Sequence, residues 1–153
     1  MDSFLHWCQH LPLAEAIRNA AWAFPTVEIF HLFGLAMVFG SIFVLNLRLL
    51  GAAMKDTPAA EITDDLTPWT LTGLCIQVMT GPLLFITSPA RFAGNTFFQY
   101  KLLLIALALV YHFAIHRRAA KGMGIIPAKA SAILSMLSWI GIVIAGMGIE
   151  LLA

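Results

Sequence analysis

"FFQYKLLLIALALVYHFAIHRR", residues Phe97–Arg118, is oily enough through its middle to sit in lipid, yet Lys101 stands near one end and His112 well inside. A charged side chain in hydrocarbon costs about 2.5–3.5 kcal/mol on insertion scales and normally faces the interior of a helix bundle. The two residues lie eleven positions apart, about 16 Å along a helix axis and close to three whole turns. They therefore share one helix face, and His116, a turn further on, shares it too. The stretch reads as a membrane span with a polar seam, and the seam requires partner helices.

The rest of the chain supplies them. Of 153 residues, 60% are hydrophobic and 11% charged, and the mean hydropathy is +0.87. A soluble domain is about a quarter charged, so this composition indicates a bilayer as solvent. Four segments reach the roughly 20 residues that a span requires, at about 23–50, 66–88, 97–116 and 130–152. Residues 2–18 mix Phe4, Leu5, Trp7, Cys8, Leu11 and Leu13 with polar side chains. That stretch has no basic start and does not read as a signal peptide; it reads as an amphipathic helix lying in the interface, capped by Asp2 or Ser3. The expected fold is all-α: an integral membrane four-helix bundle, one transmembrane domain over residues 1–153, with an N-terminal interfacial helix. Pro82 beside Gly81 predicts a kink or a freed carbonyl in the second span.

The net charge of +1 gives no reason to expect a nucleic-acid partner. Cys8 and Cys75 form no motif. Four spans put both termini on one side, here the terminal side. Arg18, Arg91 and Lys101 flank it, against Arg48, Lys55, Arg117, Arg118, Lys121 and Lys129 on the other. The positive-inside rule then predicts a bacterial inner-membrane protein with both termini in the periplasm.

The polar residues inside the spans are the candidate site. Glu28 and His31, three apart, are expected on one face of the first span, at the depth of Lys101 and near Glu150. The expected pairings are Glu28 with Lys101, or with the second ring N–H of His31. The second cluster is His112 and His116, with His116 expected at the interface beside Arg117 and Arg118, and His112 bonding a carbonyl or Gln77. Imidazole in a four-helix bundle can ligate haem iron, or copper or zinc. His31 and His112 are the candidate metal ligands, with Glu28 and Lys101 as further cofactor-binding residues. Their depths differ by roughly 13 Å, given the helical rise, so the pair does not straddle one haem. Glu28-x-x-His31 is also half of a di-iron motif, but the other half is missing. In the fourth span Ser131, Ser135, Ser138, Gly141, Ala145 and Gly148 are expected to pack closely against neighbouring helices.

The third span, with its lysine eleven residues before a tyrosine-histidine pair, resembles that of HemJ-type protoporphyrinogen oxidases, small four-helix membrane haem proteins. In that likeness Lys101, His31 and His112 match family positions, and Arg48 in "NLRLLG" matches an arginine, while the adjoining proline and the tyrosine-histidine after it are missing. The whole chain is similar to uncharacterised bacterial four-span proteins through "FPTVEIFHLFGLAMVFGS", "NLRLLG", "TGPLLF" and "NTFFQYKLLL". It is also similar to the membrane domain of CopD-type copper-resistance proteins. The resemblance implies haem b as cofactor, and electron transfer or oxidation of a porphyrin or a quinone/quinol partner as the activity. The alternatives are copper handling through His6, His10 and His31, or an accessory subunit of a membrane complex. A homo-oligomer is a further partner expectation.

Overall fold

The computed structural model describes residues 2–151, with side-chain surroundings over residues 4–148. Asp2, Ser3 and Glu150 therefore lie outside the described side chains. Among the described residues four helices are long and apolar enough to cross a membrane: α3 (Ala23–Leu50), α4 (Ala59–Thr87), a third that comprises α6 (Thr96–Tyr111), a π-helical turn (His112–His116) and α7 (Arg117–Ala120), and α8 (Ala128–Leu151). Ahead of them stand α1 (Asp2–Gln9) and α2 (Pro12–Asn19), and α5 (Pro89–Ala93) bridges α4 and α6. Among the described residues there is no strand. The protein is a multi-pass membrane bundle.

Local chemistry sets the ends. Gly51 stops α3 at φ 78°, its N–H turned back to the carbonyls of Arg48 and Leu47. A left-handed residue of this kind suits glycine. Asn95 starts α6, its side chain accepting from the N–H groups of Phe97 and Phe98. Pro58 precedes α4, which begins about two turns earlier than the hydrophobic run suggests and continues through Pro68 and Pro82. The N-terminal region is two short helices instead of one, because Pro12, suited to a first helical turn, begins a second helix at that point. Phe4, Trp7 and Leu13 are exposed while Cys8, Ala14 and Ile17 are buried. Arg18 of α2 donates to the Thr87 carbonyl at the end of α4, so these helices dock on the terminal side.

The tightest crossing joins α3 to α4. A Cβ built on Gly73 would lie 2.7 Å from the Gly34 carbonyl oxygen, and one on Gly34 would lie 3.0 Å from that of Gly73. Only glycine permits this approach, which gains dispersion where lipid offers no hydrophobic drive. The buried positions Gly73, Thr80 and Thr87 on α4 recur every seven residues, the spacing of a seam along a left-handed helix pair. On the other side α8 packs against both α3 and α6. Val38, Ile42, Ala108, Trp139 and Ile142 form the core there. Ser131, Ser135, Ala145 and Gly148 face inward as expected, and Phe97 covers Gly148 so closely that a Cβ would meet its ring at 2.6 Å.

Among the described residues α4 and α6 do not pack along one another. They meet towards their ends. Phe85 of α4 stacks on Phe98 of α6 at 5.7 Å, with Phe92 beside it. At the far end α7 packs on α4 and Lys121 binds Asp64 at 2.6 Å.

Candidate functional site

His31 is held on two sides by α4. Its ring Nδ1 lies 2.8 Å from the Thr80 hydroxyl, and its backbone carbonyl accepts from the Gln77 amide at 2.6 Å. Thr80 donates its own proton to the Ile76 carbonyl at 2.6 Å. A hydroxyl has one proton, so Thr80 must accept from His31, and Nδ1 of His31 carries the N–H. The lone pair then resides on Nε2. A hydrogen bond at one ring nitrogen that sets the other free is how proteins prepare a histidine ligand.

One glycine stands beside this ring and another beside Lys101. A Cβ on Gly81 would lie 3.7 Å from its Cε1, and one on Gly146 would lie 3.6 Å from Nζ of Lys101. Lys101 reaches in from α6 and is the cation that His31 senses electrostatically. Among the described residues no hydrogen bond or ion pair is made by Lys101. Elements α3, α4, α6 and α8 thus each contribute to one locus.

Glu28 is not part of it. Its side chain is exposed, and the described residues give it neither the pairing with Lys101 nor the bond to His31 that their shared depth suggests. Three residues fall about 60° short of a full turn, enough to swing Glu28 outward near the helix start while His31 points in. Arg48 is also elsewhere, donating to the Thr57 carbonyl at 2.6 Å and closing the first loop.

A second polar layer lies toward the other side. His116 is fully buried rather than set at the interface. Its Nδ1 is 2.8 Å from the Ser131 hydroxyl, which is 2.8 Å from the Tyr111 hydroxyl; that hydroxyl also donates to the Ser131 carbonyl at 3.2 Å. Three bonds and three protons allow one assignment without sharing. Tyr111 donates to the carbonyl, Ser131 to Tyr111, and His116 Nδ1–H to Ser131. Nε2 of His116 is then the bare acceptor, buried and without a partner. His112 is 5% exposed and its Nδ1 is likewise buried and unpaired; the expected bond to Gln77 is not made, since Gln77 holds the His31 carbonyl. Asn46 of α3 donates to Ser135, one turn from Ser131, and leaves its own Oδ1 unpaired.

His6 and His10 sit ring to ring at 4.4 Å on the surface, with His10 3.7 Å from Glu15. Among the described residues no three His, Cys, Asp or Glu side chains gather round one point, so His6, His10 and His31 do not assemble one centre. The sequence reading missed Thr80, Ser131 and Tyr111 as site residues. Their signal was hydroxyl groups inside spans, which are equally common as packing.

A family model described as "Family of unknown function (DUF6644)" matches residues 19–151. No curated protein matches the chain, and no solved structure does.

Proposed function

We propose, for a chain that belongs to DUF6644, a family of unknown function, that it is a small b-type haem-binding membrane protein with His31 as an axial ligand. One observation carries this reading: the Thr80 hydroxyl, its own proton committed to Ile76, holds His31 with the Nε2 lone pair free. Lys101, with no partner among the described residues, supplies a cation suited to a propionate. Gly81 beside His31 and Gly146 beside Lys101 carry no side chain into this locus, and α4 and α6 do not pack along one another, an arrangement that suits a planar group held between helices. The likeness of His31 and Lys101 to positions in HemJ-type proteins supports the same assignment. Haem, when bound, supplies one-electron chemistry. The chain's own part is to orient the imidazole through Thr80, anchor an acidic edge through Lys101 and exclude water with the Phe85–Phe92–Phe98 cluster.

A porphyrin or quinol entering laterally from lipid is the substrate class that this reading implies. The absorption spectrum of protein purified from haem-replete cells tests the reading, which requires a Soret band in stoichiometric amount. Thr80→Val keeps the side-chain shape but removes the acceptor for His31 Nδ1–H. Loss of such an orienting partner lowers ligand affinity by about 10–100-fold. Haem titration of the apo form should show that loss, and unchanged affinity would refute the role given to Thr80.

The same proposal puts both termini in the periplasm of a bacterial inner membrane, on the support of the excess of Lys and Arg around the loops of the non-terminal side. Alkaline phosphatase fused after Ala153 should then be active and a fusion in the 51–58 loop inactive. The reverse pattern would invert the topology.

A further inference from the structure

We propose that His112 and His116 form a second ligand site, separate from His31, for a monovalent transition-metal cation, Cu(I). The inference does not depend on haem at His31.

Both imidazoles lie at least nine-tenths buried, and each has a ring nitrogen shielded from solvent with no hydrogen-bond partner: Nδ1 of His112 and Nε2 of His116. An unpaired nitrogen of this kind is a cost that folded proteins rarely carry without a reason. For His116 the hydrogen-bond assignment through Ser131 and Tyr111 makes that nitrogen a lone-pair donor held in orientation from behind, the arrangement that accompanies metal-ligating histidines.

The spacing agrees. The two ring centres stand 5.5 Å apart with planes inclined at 40°. A metal about 2.0 Å from each imidazole nitrogen places two ring centres about 5–6 Å apart, for bond angles between tetrahedral and nearly linear. Histidines four apart on one helix are a recurrent ligand pair. Here they bracket a π-helical turn, a distortion that occurs often at functional sites.

Charge selects the metal. Among the described residues no carboxylate or thiolate joins the pair. Arg117 adjoins it with its Nε buried and unpartnered, its guanidinium over the Phe113 ring at 5.8 Å and close enough to act electrostatically on His112. Poorly screened repulsion scales with the charge brought in, so a divalent ion meets twice the penalty of a monovalent one. Among metals that imidazole binds well, copper offers a stable single charge. The turn lies just inside Arg117 and Arg118, so the route from the adjoining aqueous side is short.

The test is anaerobic titration of detergent-purified, haem-free protein with Cu(I) against a chromophoric chelator. One equivalent should be withheld from the chelator by the wild type and by His31→Ala, and none by His112→Leu or His116→Ala. X-ray absorption should show nitrogen scatterers at about 2.0 Å. His112→Leu is the informative variant, because among the described residues the buried His112 Nδ1 has no hydrogen-bond partner for leucine to forfeit. It should fold with unchanged or higher thermal stability while losing the metal and the stabilisation that Cu(I) confers on the wild type. Failure of the wild type to retain Cu(I) would overturn the site, leaving buried water as the partner of these nitrogens. So would retention in His112→Leu, or preference for Zn(II) over Cu(I). None of these outcomes bears on the Soret band, so this proposal and the haem reading fail separately.

Discussion

His31→Ala is expected to abolish the Soret band of the purified protein, while His112→Ala leaves it at full intensity. The difference follows from which nitrogen is prepared for a ligand. Thr80 leaves the lone pair of His31 on Nε2, at a locus to which α3, α4, α6 and α8 all contribute, whereas His112 sits beside His116. The loss has to be separated from misfolding. Alanine removes the His31 Nδ1–H, and Thr80, already donating to Ile76, loses only an incoming bond. A hydroxyl that keeps its own donation is a minor loss, about 1 kcal/mol, so the variant should purify in the same yield. His31→Gly adds a chemical check, since free imidazole diffusing into the vacated space should restore the band. A Soret band that survives His31→Ala unchanged would remove His31 from the ligand set. Its absence from haem-replete wild type would remove the haem proposal altogether.

The second large effect lies in packing. Gly73→Ala is expected to lower the melting temperature in detergent by several degrees, whereas Gly40→Ala should leave it unchanged or slightly raised. At Gly73 an added Cβ meets the Gly34 carbonyl oxygen at 2.7 Å, Val38 Cγ2 at 2.8 Å and Met37 Cβ at 2.9 Å. One of these atoms is backbone, so the crossing must open rather than repack a side chain. Overpacking of this kind costs about 1–3 kcal/mol. At Gly40 nothing lies within 4 Å of the new atom, and alanine is the better helix former. The crossing also positions Thr80, one seven-residue step along α4, against His31. Gly73→Ala should therefore weaken haem retention as well as stability, and a variant as stable as wild type would show that the close approach is not needed.

These two sites differ in how far they could be read before folding. That His31, Lys101 and His112 lie inside spans is a local matter of hydropathy and of what charge costs in hydrocarbon, and their depths follow from helical rise alone. Rotation about the helix axis is another matter. In water an amphipathic pattern shows which face is buried, but in lipid both the core-facing and the lipid-facing residues are apolar. Leu32 and Phe33 are exposed while Val38 and Ile42 are buried, and nothing in their chemistry separates them. Glu28 accordingly looked like a partner of His31 and points away. His116 looked interfacial because arginines follow it, yet Ser131, fifteen residues on and across a loop, encloses it.

The amino-acid sequence by itself determined an all-helical membrane protein with four spans, both ends on one side, and imidazoles held at two depths. Each of those is a property of a single segment and its length. Only the tertiary structure decided which ring nitrogens are free, that Thr80 and Ser131 orient them, and that two glycines bring α3 and α4 into contact. Those facts depend on how neighbouring helices are rotated against one another, and close packing of small residues sets that rotation where lipid provides no contrast of polarity.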